Sequence, residues 1–285
     1  MNTKKILNLS MSCIALYILF SIFTLSFNAD VSLTAFPLCA LFTALFFFFA
    51  LKKVFIEKNT SAIKALRLFL QYAPYVFLVA FVLRRAGENG TPYFVDLISV
   101  LLWCAFSACG LVILYFINPR RVNKISPEWA SVLGKKTSGN NFIRKICFEV
   151  LSWIDALVQA VFMVLLINIF IVQLYEIPSE SMVPEFLIGD RVVVFKTASG
   201  PKFPLSEIGL PYVNSYDRGD IVVFRNPHYE NDRKSEVRTF ISQIVYMCSL
   251  TTVNLNVDEK GKPIADPLVK RITGLPGEQL MMQDG

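Results

Sequence analysis

Glu176-Ile-Pro-Ser-Glu-Ser-Met-Val-Pro-Glu-Phe-Leu-Ile-Gly-Asp-Arg-Val-Val-Val-Phe-Lys196 begins where the last long apolar run of the chain stops. Ser179 and Ser181 alternate between Pro178 and Pro184, and Gly189-Asp190 then leads into a β-branched run from Arg191 to Phe195. Proline fixes φ, and β-branched residues favour the pleated strand. A short serine-bearing turn feeding a strand holds a hydroxyl in a defined place. Ser181 is therefore a candidate nucleophile.

Composition separates the chain into two parts around this stretch. The chain has 285 residues, 54% of them hydrophobic, including 25 Phe, and its mean hydropathy is +0.50. That is too apolar for a soluble domain of this size and points to a membrane protein. The apolar excess lies before Tyr175, and the last part (about 110 residues) has the composition of a soluble β-rich domain with Gly/Pro turns. The net charge of +6 comes from basic residues at the ends of apolar runs, the pattern of membrane topology rather than of nucleic-acid binding. Four of the six cysteines, Cys13, Cys39, Cys104 and Cys109, fall within apolar runs, Cys147 flanks one, and Cys248 stands alone in the soluble part. No disulfide can form within that part. With a single histidine, His228, and no CxxC, a His/Cys zinc site is excluded.

Five apolar runs have the length of membrane helices, at about 6–27, 32–51, 66–83, 94–117 and 156–174. Lys4-Lys5 before the first could pass for the start of a signal peptide, but the run is long enough to span and further spans follow. Pro74 lies inside the third, where a membrane helix tolerates it with a kink. The N-terminal tail and the 52–67 and 118–145 loops carry 14 Lys and Arg, and the 28–31 and 84–92 loops carry 2, Arg84 and Arg85. This imbalance predicts a cytoplasmic N-terminus and, after five crossings, an extracytoplasmic C-terminal domain. Residues 146–155 read as an interfacial lead-in, with Glu149, Asp155 and likewise Asp96 in the headgroup zone. Asn168 is expected at a helix–helix contact.

The soluble part predicts strands at Arg191–Lys196, Asp220–Arg225 and Leu268–Ile272, with a fourth starting at Glu278–Met282. Val237–Leu250 reads as a helix, either in the core or lying on the membrane. A serine nucleophile needs a base. His228 sits in the polar turn Asn226-Pro-His-Tyr-Glu-Asn-Asp232 and reads as solvated loop. A lysine can replace histidine if it is neutral near pH 7, which requires desolvation. Lys270 differs from the other lysines in lying within an apolar strand, where alternation sends Lys270 and Arg271 to opposite faces. From the residues alone, two readings stand together: a Ser181–Lys270 dyad, or a turn serine and an outward-pointing lysine.

Three ordered blocks, Pro178-Ser-Glu-Ser-Met-Val-Pro184 with Leu187-Ile-Gly-Asp190, Arg218-Gly-Asp-Ile-Val-Val-Phe224, and Lys270-Arg-Ile-Thr-Gly-Leu-Pro-Gly-Glu278, resemble bacterial type I signal peptidase. The resemblance implies a multi-pass α-helical membrane region followed by a mainly β catalytic domain. The organisation expected is four spans in 1–145, the lead-in and fifth span in 146–175, and an extracytoplasmic peptidase domain in 176–285. It implies Ser181 as nucleophile and Lys270 as general base. The Ser181 amide and the Ser179 hydroxyl would form the oxyanion hole. Ile177, Pro178, Phe186 and Val269 match positions beside shallow pockets for small side chains, and Met182 would pack near the lysine. The implied substrates are secretory pre-proteins with Ala-x-Ala-like cleavage sites, and the implied partners are the lipid bilayer of the cell membrane and the export machinery. No cofactor, metal or nucleic acid is implied. Two features depart from the family. Glu180 stands where a small residue is common, and a later Gly-Asp-Asn-rich block is missing, so the domain is expected to be truncated. The alternative function is a polytopic scaffold or binding protein with a non-catalytic peptidase-like domain.

Overall fold

A computed structural model describes residues 12, 16, 32–57, 60–85, 92–118, 121–123, 127–134, 142–177, 179–227, 233–250, 252–257 and 267–281. The chain divides into two compact units, Met1–Asp155 and Ala156–Gly285. The division lies between the expected boundaries at 145/146 and 175/176 and inside a helix, so the last apolar helix contributes to both units.

The first unit is helical: α1 (Ser32–Leu51), α2 (Thr60–Arg84), α3 (Tyr93–Phe116), α4 (Pro127–Gly134) and the first half of α5 (Phe142–Phe170). Among the described residues, three helical segments are long and apolar enough to cross a membrane, Leu66–Leu83, Tyr93–Phe116 and Lys145–Phe170. They overlap the expected third, fourth and fifth spans. α1 coincides with the expected second, and the expected first span lies outside the described residues apart from 12 and 16. Much of the expected 52–67 loop is helical, through a π-helical turn at Lys52–Ile56 and the first turns of α2. Apolar side chains on α3 and α5 face outward, Leu111 at 67% and Trp153 at 75% exposure, as a lipid-facing surface requires.

Phe46, Ile63, Leu66, Phe69 and Trp129 belong to the core of this unit. Phe69 packs against Phe46 with ring centroids 4.2 Å apart and against Phe106 at 5.8 Å. Gly110 of α3 faces Leu70 of α2, and a Cβ placed on it would meet Leu70 Cδ2 at 3.5 Å, an ordinary van der Waals contact. Pro74 stays within α2, and its carbonyl accepts a hydrogen bond from Trp103 Nε1 at 2.8 Å.

Asp96 and Asp155 differ from expectation. Asp96 is buried, and Arg85 Nε donates to its Oδ2 at 3.1 Å while Arg85 Nη2 bonds the other oxygen. Asp155 accepts hydrogen bonds from Gln71 Nε2 at 3.3 Å and from the Tyr72 hydroxyl. Neither carboxylate is simply solvated at a headgroup zone, because each has a polar partner on or beside α2. The expected lead-in is not a separate element either, since α5 runs unbroken from Phe142.

The described residues of the second unit form two antiparallel pairs, β1 (Val172–Glu176) with β2 (Arg191–Phe195), and β3 (Ile221–Phe224) with β4 (Leu268–Arg271), and an α-helix, α6 (Arg233–Cys248). β1 was expected to be the end of the last span; α5 stops at Phe170, and Val172 to Glu176 pair with Phe195 to Arg191. Between Leu250 and Leu268 the described residues hold no named element. The expected strand at Glu278–Met282 is absent among its described residues. Leu280 instead folds back on Gly274, where a Cβ would come within 2.8 Å of Leu280 Cδ1.

One turn device recurs in all three motif blocks. In Leu187-Ile-Gly-Asp190, Asp217-Arg-Gly-Asp220 and Leu275-Pro-Gly-Glu278, the fourth amide bonds the first carbonyl at 3.2, 3.2 and 3.1 Å. The acidic side chain at the fourth position accepts from the first amide at 2.8, 2.9 and 2.9 Å. The third residue is glycine at φ +88, +99 and +90, the left-handed position that type II turns require. No atom lies within 4 Å of a Cβ placed on Gly219, so Gly219→Ala introduces backbone strain and no clash. It is expected to destabilise the domain by about 1–2 kcal/mol, read as a lower thermal midpoint; an unchanged midpoint would contradict the turn assignment.

Candidate active site

Ser181 lies in the loop that closes the β1–β2 hairpin. The ladder continues one pair past the strands, with Ile177 N–H donating to Asp190 O and Gly189 N–H to Ile177 O, both at 2.9 Å. Within the loop, Glu180–Met182 make a single 3₁₀ turn. The amides of Glu185 and Phe186 then bond Met182 O at 2.9 and 3.0 Å. The serine is thus held by a closed network of backbone hydrogen bonds on a short loop.

Lys270 lies on β4 opposite Val222 of β3. Along β4, Leu268, Val269 and Lys270 are half-buried and Arg271 is exposed. Lys270 Nζ donates to Ser181 Oγ at 2.5 Å, and Ser179 Oγ lies 3.3 Å from Ser181 Oγ. The structure therefore brings together Ser179, Ser181 and Lys270. Of the expected pocket residues, Ile177 and Met182 are buried and Phe186 and Val269 are half-buried. Pro178 lies outside the described residues, as does His228.

Two charged contacts beside the dyad were not singled out from the sequence. Arg271 pairs with Glu185 of the serine loop and donates to Gly219 O at 2.6 Å. Arg218 pairs with Glu278 at 2.6 Å. The Arg218 bond first, and then the Leu275 amide, hold the Glu278 carboxyl below its ordinary pKa. A depressed carboxylate favours the folded turn above its unfolded pKa, and that contribution is lost as pH falls through the folded value.

Lys196 was also passed over. Burial pushes its pKa below the ordinary lysine value, and its Nζ bonds Gln173 Oε1. On that ground it competes with Lys270 as a base. Geometry sets it apart from Ser181. Lys196 follows β2 at the end of the hairpin away from the serine loop, roughly 16 Å along a five-residue ladder. It lines a separate cleft with Ile169, Phe203, Arg225 and Phe240. Among the described residues no cluster of His, Cys, Asp or Glu is placed to hold a metal ion.

A hairpin-borne serine whose hydroxyl meets a strand-borne lysine is the pairing that serine–lysine hydrolases use for acyl transfer. Comparison with known proteins shows what the chain is similar to. Residues 150–285 match the family described as signal peptidase, peptidase S26. The signal peptidase I of Buchnera aphidicola subsp. Baizongia pistaciae is 45% identical over 65 residues, 23% of this chain and 21% of the relative. That of Buchnera aphidicola subsp. Schizaphis graminum is 39% identical over 113 residues, 40% of this chain and 33% of the relative. That of Pseudomonas aeruginosa is 28% identical over 191 residues, 65% of each chain. The chain spans less than two thirds of the length of these relatives. No solved structure matches it. The similarity to the signal peptidase family, peptidase S26, covers residues 150–285, just under half of this chain.

Proposed function

We propose that the protein is a membrane-anchored serine endopeptidase of the signal peptidase I type, which removes N-terminal signal peptides from exported pre-proteins. The observation that carries this reading is the 2.5 Å contact between Lys270 Nζ and Ser181 Oγ. It favours an enzyme over a non-catalytic scaffold, because two chemically matched side chains from distant segments meet without an obvious packing reason.

In the proposed reaction, an extended substrate lays its scissile carbonyl beside Ser181. Ser181 Oγ attacks the carbonyl carbon as Lys270 Nζ takes the hydroxyl proton. The tetrahedral oxyanion is held by the Ser181 amide and the Ser179 hydroxyl. Collapse breaks the C–N bond, and the new amine receives its proton from Lys270, leaving the signal-peptide acyl group on Ser181. Lys270 then takes a proton from water, whose oxygen attacks the ester; Ser181 regains its proton as the signal peptide leaves as a carboxylate. Ile177, Phe186 and Val269 border the pockets for small side chains, Pro178 is assigned to them by the resemblance alone, and Met182 helps to keep Lys270 dry. The substrate class is a pre-protein ending its signal in an Ala-x-Ala-like sequence.

The proposed setting is the bacterial cell membrane, with a cytoplasmic N-terminus, the peptidase domain on the outer side and the export machinery delivering substrate. The Arg85–Asp96 pair supports this orientation. One of the two arginines that weaken the charge asymmetry is buried and neutralised by a carboxylate, so it does not act as a free loop charge.

The full-length protein in lipid vesicles should cut such a pre-protein once, after the second small residue, with the new N-terminus read by mass spectrometry. Ser179→Ala should lower kcat by about 10²–10³-fold, the effect of one lost oxyanion donor. A variant with wild-type kcat would remove Ser179 from the oxyanion hole, and no cut at a small-x-small site would overturn the substrate class.

A further inference from the structure

The serine and the lysine come from different sheets. Ser181 belongs to the loop of the β1–β2 pair, Lys270 to the β3–β4 pair, and among the described residues no strand ladder joins the two. The separation of Nζ and Oγ therefore depends on links between the serine loop and β4. Arg271 makes one of them, directly beside Lys270. One guanidinium nitrogen donates to Gly219 O at 2.6 Å, at the turn before β3. Another pairs with the Glu185 carboxylate. Glu185 is itself fixed to the serine turn, because its amide donates to Met182 O at 2.9 Å. Arg271 thus fastens the serine loop to the β3–β4 pair from the face opposite Lys270.

We propose that the Glu185–Arg271 ion pair is a positioning clamp that holds the serine loop against β4, so that Ser181 and Lys270 stay in reach of each other. The proposal rests on the reading of those two residues as nucleophile and base. Glu185 and Arg271 touch neither the substrate nor the reacting atoms in this account. Both side chains are nearly half-exposed, at 47% and 43%, and an ion pair of that exposure contributes little to global stability. Its effect should appear in the chemical step, where a displacement near 1 Å can cost about 100-fold in rate.

Glu185→Ala, Glu185→Asp and Arg271→Glu are compared with the charge-reversed double variant Glu185→Arg/Arg271→Glu in the full-length protein, with Ser181→Ala assayed alongside. Glu185→Ala is expected to lower kcat between about tenfold and 100-fold while leaving KM and the thermal midpoint near wild type. Glu185→Asp should retain more kcat than Glu185→Ala. The double variant should recover kcat relative to Arg271→Glu alone. Wild-type kcat in Glu185→Ala, with Ser181→Ala inactive, would overturn the clamp and leave the dyad standing. A thermal midpoint that falls in proportion to kcat, or strictly additive losses in the double variant, would also overturn it by reducing the pair to a structural contact. Retained cleavage by Ser181→Ala would overturn the dyad and the clamp together.

Discussion

Lys270→Ala in the full-length protein is expected to lower kcat for pre-protein cleavage by about 10²–10⁴-fold, the range contributed by a positioned general base. At 1.36 kcal/mol per tenfold, that is about 3–5 kcal/mol of transition-state stabilisation. Ser181→Ala removes the nucleophile and should reduce cleavage to background. KM should change little in either variant, because neither group is assigned to substrate binding. The competing base is Lys196, whose burial depresses its pKa. Lys196→Met keeps the aliphatic stem and removes the amine, and kcat should stay within a few-fold of wild type. A collapse of kcat in Lys196→Met together with activity in Lys270→Ala would reverse the assignment. The reason to favour Lys270 is distance alone: its amine meets the serine hydroxyl, whereas Lys196 bonds Gln173 at the far end of the hairpin.

The second large effect concerns the helical unit. The Arg85 and Asp96 side chains are 1% and 8% exposed. Arg85 Nη1 also donates to Phe81 O at 2.6 Å. Asp96→Ala would leave a buried guanidinium without its counter-charge, a change that costs about 3–5 kcal/mol in comparable buried pairs. The expected results are a sharply lower thermal midpoint in detergent and poor accumulation in the membrane. Replacing both residues, as Arg85→Leu/Asp96→Leu, should restore most of the loss, because no unpaired charge remains. A single variant as stable as wild type would mean that water reaches Arg85.

The limits of sequence reading here have physical causes. β2, β3 and β4 were legible because short β-branched runs follow or precede Gly-Asp and Gly-Glu turns, and both signals are local. β1 was not. Ile171-Val-Gln-Leu-Tyr175 continues an apolar run, and only its partner β2, beyond the serine loop, separates strand from helix. Asp96 and Arg85 read as interfacial and loop charges because each has bland neighbours; their pairing depends on α2 and α3 lying side by side. Ser181 and Lys270 were singled out by alternation and turn chemistry, yet their meeting rested on family resemblance, since no periodicity relates positions 89 apart. The pairing of Glu185 with Arg271 escaped notice for the same reason, without a motif to mark Glu185. The burial of Lys196 could not be read because one wall of its cleft is α6, which begins 37 positions later (233 − 196).

The central claim is that Ser181 is a nucleophile whose reactivity depends on Lys270. It is tested most directly by treating the full-length protein with a serine-acylating β-lactone and locating the adduct by peptide mass spectrometry over time. The account predicts an adduct on Ser181 in the wild type, forming at least about 100-fold more slowly in Lys270→Ala, with no adduct in the same peptide of Ser181→Ala. Acylation of Ser181 at the wild-type rate in Lys270→Ala, or labelling confined to another residue, would contradict it.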